Sequence, residues 1–162
     1  MRKVVVNTTP LIALSHVGLL HLLKQLYGEI IIPEAVYQEL AIKKGSVCEK
    51  EVNNSLSWIR VKKIENQMAK QMYKTQLHDG EVEVMILAKE IIADIVIIDD
   101  AKAKKHAKYL GLPVTGTLGI LIKAKQKGYI DKLKPILYQM VQNGIYISQG
   151  LIEWCLKQVG ES

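Results

Sequence analysis

Nowhere does this chain reach the roughly 18 uninterrupted apolar residues that a membrane span requires, although 49% of its 162 residues are apolar. A membrane-spanning class is excluded on that ground, and a soluble, cytoplasmic protein is expected. Secretion is rejected as well. Cations precede the apolar run at Val4–Val6, as in a signal peptide, but Asn7, Thr8, Thr9 and Pro10 interrupt that run at once. Only two cysteines occur, Cys48 and Cys155, with no CxxC pair, which excludes a disulfide scaffold and fits a reducing compartment. The motifs of several enzyme classes are missing too. There is no HExxH or Cys/His metal spacing, no GxSxG elbow for acyl transfer, and neither GxGxxG nor GxxxxGK[ST] to cradle a nucleotide phosphate. Arginine is nearly absent, with Arg2 and Arg60 its only examples.

The net charge of +6, from 22 basic and 16 acidic side chains, is therefore carried by lysine. Lysines attract polyanions as point charges, whereas bidentate reading of guanine edges favours arginine. A merely soluble basic protein accounts for the charge equally well. The length suits one folding unit with a substantial core.

Short β-branched runs alternate with helical patterns. Strands are predicted at Lys3–Val6, Glu29–Ile32, Trp58–Val61, Asp94–Ile98 and Pro113–Thr115, each followed by a helix. Runs such as Ile95-Val96-Ile97-Ile98 do not alternate in polarity, which implies a parallel sheet buried on both faces. Helix starts follow from capping chemistry at Thr8 or Thr9 before Pro10, at Pro33, at Asp79, at Asp100 and at Ser148. The polar connection through Lys43–Gly45 and Glu49–Asn54 reads as a loop or a weak helix. After Gly116 the pattern is purely helical, with helices near Leu118–Gln126, Leu133–Gln142 and Gln149–Val159. Residues 116–162 are read as a helical C-terminal extension of a single domain spanning 1–162.

In an open parallel sheet, ligands gather outside the carboxyl ends of the strands where the strand order reverses. The polar residues expected there are Asn7 after the first strand, Glu39 in the helix after the second, Glu81 opening the helix before the fourth, and Asp99 and Asp100 after the fourth. Converging carboxylates repel by kilocalories unless a counter-charge intervenes. Hard oxygen ligands suit Mg²⁺ or Mn²⁺, which activate water and clamp a phosphate. Each residue also has a plain reading: Asp100 as a helix cap, Glu81 as a first-turn carboxylate facing the helix dipole, Glu39 as a solvated face. Thr115, Gly116 and Thr117 follow the last strand, where hydroxyls can touch a phosphate or hold Asp99 in place. Lys102, Lys104, Lys105 and Lys108 on the next helix suit a polyanion or simply a solvated face. His78 is the one histidine placed near the crevice, and a surface role is its plainer reading.

The segments Val4-Val5-Val6-Asn7-Thr8-Thr9-Pro10-Leu11-Ile12, Ile32-Pro33-Glu34-Ala35-Val36-Tyr37-Gln38-Glu39-Leu40, Asp79-Gly80-Glu81-Val82-Glu83, Ile97-Ile98-Asp99-Asp100 and Val114-Thr115-Gly116-Thr117-Leu118-Gly119 together resemble a bacterial and archaeal subfamily of the PIN domains. The last segment, followed by Ala124-Lys125 and Gly128-Tyr129-Ile130, is the most specific. The resemblance implies a three-layer α/β/α sandwich around a parallel sheet of about five strands. It also implies metal-dependent cleavage of RNA phosphodiester bonds, often as the toxin of a VapC-type toxin–antitoxin pair. On this resemblance Glu39, Glu81 and Asp99 are the catalytic carboxylates and ligands of Mg²⁺ or Mn²⁺, with Asp100 and Asn7 completing the metal site. Thr115, Thr117, Lys102 and Lys105 are the residues expected to contact nucleic acid. Asn7 departs from the pattern, because PIN nucleases usually carry an aspartate there.

Two other readings follow from the same residues. One is a PIN scaffold that kept its basic surface and binds RNA without cutting it, as Asn7 suggests. The other is a phosphoacceptor receiver, which expects an acidic pair after the first strand and a lysine after the last, and finds neither. Partners implied are RNA, a cognate antitoxin covering the crevice, and a second copy of the chain. The last follows from apolar surface on the helical stretch Leu11–Leu26 and on the C-terminal pair.

Overall fold

A computed structural model describes residues 2–73 and 77–161, so Met1 at the head of the N-terminal run lies outside it. Five parallel strands form one sheet: β1 (Val4–Val6), β2 (Ile30–Pro33), β3 (Ile59–Lys62), β4 (Ile95–Ile97) and β5 (Val114–Thr115). Their order is β3-β2-β1-β4-β5. All five expected strands are present, displaced by a residue or so at their ends. Val4, Val5 and Val6 pair in register with Ile95, Val96 and Ile97, and all but Ile95 of these six are buried. The order reverses between β1 and β4, which opens a crevice at their carboxyl ends. Asn7 stands on its edge, and its backbone N–H donates to the Ile97 carbonyl at 3.0 Å.

Ten helices are seen among the described residues. After β1 come α1 (Thr8–His16) and α2 (His21–Tyr27), and after β2 come α3 (Glu34–Ile42) and α4 (Val47–Asn53). Next are α5 (Gln67–Tyr73), α6 (Asp79–Glu90) and α7 (Ala101–Tyr109), then α8 (Thr117–Gln126), α9 (Leu133–Gln142) and α10 (Gln149–Gln158). On one side α8 packs against α1 and α2; α6 packs against α3, α5 and strands β1 and β2. The arrangement is the three-layer α/β/α sandwich that the sequence implies. α6 is buried all round from Gly80 to Ala88, as a helix enclosed by its neighbours must be. Buried side chains of α8, α9 and α10, such as Leu121, Leu137 and Leu156, join the same cluster as the sheet residues.

Several local expectations are corrected. The stretch Leu11–Leu26 is two helices, because Gly18 takes a left-handed φ of 70° and the Leu19 N–H turns back to the Leu14 carbonyl. The cap of α1 is Asn7 rather than Thr8 or Thr9, and Asn7 uses no side-chain bond to cap it. Pro10 then falls in the first turn, where its missing N–H is no loss. The cap of α6 is His78, one residue before Asp79. The polar connection after α3 contains a full helix, α4, opened by Ser46, whose hydroxyl accepts the Glu49 N–H at 3.2 Å. Asp100 and Ser148 cap α7 and α10 as expected, accepting from the Ala103 and Leu151 N–H groups. Cys48 and Cys155 are free, and burial raises both thiols, so neither is poised as a thiolate.

At the C-terminus of α6, Ile92 has a φ of 54° and is 81% exposed. A β-branched side chain in the left-handed region is strained, and here little packing offsets the strain. Ile92→Gly is expected to raise stability by about 0.5 to 1 kcal/mol. A denaturant midpoint at or below that of the wild type would contradict this.

Candidate functional site

The residues at the carboxyl end of the sheet divide between two neighbouring cavities. The first, of about 590 Å³, is lined by Asn7, Thr8, Thr9, Glu39, Leu77, His78, Asp79 and Glu81. The second, of about 450 Å³, holds Asp99 and Asp100 together with Lys104, Gly116 and Thr117. Thr9 lines both, so the two meet beside β1.

In the first cavity, each acidic side chain expected there has a donor that orients it. Glu39, half-buried on α3, accepts the Thr8 hydroxyl on Oε2 at 2.8 Å. Its other oxygen lies against Gly80, where an added Cβ would stand 2.1 Å from Oε1. Gly80 is thus the gap that admits Glu39 to the cleft. Glu81, 9% exposed at the third position of α6, accepts the His78 N–H at 3.2 Å. It therefore serves its own helix terminus, which is its plainer reading, and also lines the cleft. Asn7 is 4% exposed on the cavity wall. His78 is exposed at its mouth.

Asp99 is directed elsewhere. Oδ1 accepts the Thr117 N–H at 2.7 Å and Oδ2 the Thr117 hydroxyl at 2.6 Å. The Thr117 hydroxyl is committed to that bond and holds Asp99 in place. Asp100 spends an oxygen on the cap of α7. The expected carboxylates thus divide between two adjoining cavities, Glu39 and Glu81 in the first and Asp99 and Asp100 in the second. Among the described residues, no group of three or more Asp, Glu, His or Cys side chains is arranged to hold a metal ion. The physical reason is that carboxylates repel at short range while separate hydrogen-bond donors draw them apart.

Of the residues expected at the site, Glu39, Glu81 and the amide of Asn7 share one cleft, which Asp79 also lines. Two carboxylates and an amide oxygen, opening to solvent, fit Mg²⁺ or Mn²⁺, since Mg²⁺ takes few protein ligands and keeps several waters.

Of the residues expected to contact nucleic acid, Thr115 lies on β5 with its hydroxyl against Gly119. Lys102 and Lys105 are exposed and line a shallow cavity with Leu77 and Tyr109. Leu77 also lines the first cleft, so these lysines flank its mouth. Lys104 stands beside Asp99, its Nζ lying with Asp99 Oδ1 over Gly116.

Three further residues escaped the sequence reading. Thr8 was expected only as a cap, yet it positions Glu39. Asp79, displaced from the cap by His78, lines the cleft; the Asp79-Gly80-Glu81 segment was the available signal. Glu83, 5% exposed, accepts the Ala35 N–H at 3.0 Å and Lys70 Nζ at 2.7 Å. The hydrogen bond that Lys70 donates to Glu83 raises the Lys70 pKa. Glu83 thus joins α3, which carries Glu39, to α6, which carries Glu81.

A family model described as a PIN domain matches residues 3–161 of the chain. No curated protein matches it.

Proposed function

Since the chain belongs to the PIN-domain family and has its nuclease-type fold, we propose that it is a metal-dependent endoribonuclease that cleaves RNA phosphodiester bonds. The observation that carries this reading is Glu39 and Glu81 facing one open cleft with Asn7, where the strand order reverses. PIN domains in general depend on divalent metals. Here Glu39, Glu81 and the Asn7 amide oxygen would hold Mg²⁺ or Mn²⁺, which supplies Lewis-acid stabilisation to a phosphodiester under attack. The chain's own part is positioning. Thr8 orients Glu39, the His78 N–H orients Glu81, and Thr117 fixes Asp99 in the adjoining cavity. Lys102 and Lys105 at the mouth, with Lys104 beside Asp99, would neutralise flanking phosphates.

The toxin role in a toxin–antitoxin pair is the setting this proposal takes from the family. A cognate antitoxin would cover the cleft with a basic side chain. Exposed Tyr138, Val141 and Trp154 on α9 and α10 support a homodimer.

The test is incubation of the purified protein with unstructured and duplex RNA in Mn²⁺ and in EDTA, alongside Glu81→Gln and Asp99→Asn. Cleavage confined to Mn²⁺ is expected, falling at least about ten-fold in each variant, equivalent to about 1.4 kcal/mol of transition-state stabilisation. Equal cleavage by the variants would identify a contaminant and overturn the proposal. Asn7 favours a second reading, a PIN scaffold that binds RNA without cutting it. Binding that persists in EDTA, with no cleavage in Mn²⁺, would select it.

A further inference from the structure

The second cavity is larger than the positioning of Asp99 requires, and its two walls differ in chemistry. One is polar, with Lys104, Asp99, Asp100 and Thr117. The other is apolar and comes from α9, α10 and the turn between them, through Met140, Ile147 and Leu151. Its volume of about 450 Å³ lies in the range of sites that enclose a small organic ligand.

At the rim stands Tyr146, 90% exposed. Its neighbours Ile145 and Ile147 are withdrawn from solvent while the tyrosine between them is turned outward. That segment is pinned at both ends. Before it, Gly144 takes a left-handed φ of 92° and the Ile145 N–H returns to the Met140 carbonyl at 3.1 Å. After it, Ser148 caps α10. The phenol ring is therefore presented by a fixed backbone, which limits the ordering cost of binding.

We infer that this cavity is a nucleobase subsite, taking one unpaired base of single-stranded RNA against Tyr146 and the apolar wall. The inference rests on the nuclease reading of the neighbouring cleft and adds to it what the C-terminal helices contribute. A nucleotide matches both walls: its flat face stacks on the ring and the apolar wall, and its base edge carries donors and acceptors for the polar one. An apolar peptide side chain would fill one wall and leave the other desolvated. A base held in a duplex is already stacked and cannot enter, so the subsite selects single strands.

The test measures binding rather than cleavage. A short fluorescein-labelled single-stranded RNA of mixed sequence is titrated by anisotropy in EDTA, with a matched series in which one position is abasic. Tyr146→Ala is expected to weaken binding about ten-fold, within the range for loss of one base stack. Tyr146→Phe keeps the ring and should bind as the wild type does. One abasic position in the series should weaken the wild type by a similar factor and Tyr146→Ala hardly at all, the signature of coupled groups. Because Tyr146 is exposed, the variant should fold normally. If the wild type binds RNA and Tyr146→Ala binds it equally well, the subsite is overturned while the nuclease reading stands. If the wild type binds no RNA in EDTA, the subsite is overturned, since stacking needs no metal, while cleavage in Mn²⁺ tests the nuclease reading separately.

Discussion

Gly80→Ala is expected to cut RNA cleavage about a hundred-fold while leaving the fold intact. The added Cβ would lie 2.1 Å from Glu39 Oε1 and 2.9 Å from its Cδ. Contact distances require the carboxylate to retreat by about 1 Å or more, and a displacement of that size at a reacting centre can cost about 10²-fold in rate. What moves is the end of a flexible side chain, so the backbone need not respond. Two stability terms then oppose each other. Alanine in a helix gains up to about 1 kcal/mol over glycine, and loss of the Thr8–Glu39 hydrogen bond costs about 1 kcal/mol. The melting temperature should therefore change little, and circular dichroism checks that. A Glu39→Ala background supplies the control. If the substitution acts through Glu39 alone, adding Gly80→Ala to it has no further effect. Full cleavage by the Gly80→Ala protein would remove Glu39 from the site.

That dependence on a glycine illustrates how site geometry can hide in a sequence whose fold is legible. The strands could be read because buried parallel strands need uninterrupted β-branched runs, and Val4-Val5-Val6 and Ile95-Val96-Ile97 supply them. Caps at Asp100 and Ser148 could be read because those side chains accept backbone N–H groups well. His78 could not, since histidine is no preferred cap and Asp79 stands beside it. The break at Gly18 was legible in principle, because a glycine inside an apolar helical stretch marks a left-handed terminus.

For the site, the strand-end rule found Asn7, Glu39 and Glu81, whose backbone positions alone bring them to the crevice. Asp99 lines the neighbouring cavity, held by Thr117, one of the residues after the last strand that the sequence offered as holding it. Its direction is set by Thr117, which lies after the next helix and strand and reaches Asp99 only through tertiary packing. The lysines show the same limit at the scale of one helix. Ala103 and Ala107 are the buried face of α7, which leaves Lys104 on one flank and Lys102 and Lys105 on the other. Which flank meets Asp99 depends on where β5 and α8 lie. Glu83 differs from Glu81 by two positions in the sequence, but only depth and partners distinguish a carboxylate that ties α3 to α6 from one that faces the cleft.

Asn7→Asp is expected to strengthen divalent metal binding about a hundred-fold and to destabilise the metal-free protein. The side chain is 4% exposed, on the wall shared with Glu39 and Glu81. A new carboxylate at about 4 Å from a dication gains roughly 2 to 4 kcal/mol for each metal charge at an effective dielectric between about 20 and 40. Desolvation and repulsion among the cleft's carboxylates remove a large part of that. A net gain of about 3 kcal/mol is about two orders of magnitude in affinity. Without metal the same group is a buried charge in a cleft that also holds Glu39, Asp79 and Glu81, and a loss of about 1 to 3 kcal/mol follows.

The two effects have opposite signs, so one experiment separates them. In EDTA the variant should melt below the wild type. As Mn²⁺ is added its melting temperature should climb more steeply, because stabilisation grows with the ratio of metal concentration to dissociation constant. Isothermal calorimetry measures the affinity directly. A variant that cleaves RNA where the wild type only binds it would show that asparagine at this position is what silences the site. If the wild type and the variant bind Mn²⁺ equally, Asn7 has no part in metal binding, and a charge at the end of β1 does not control this site.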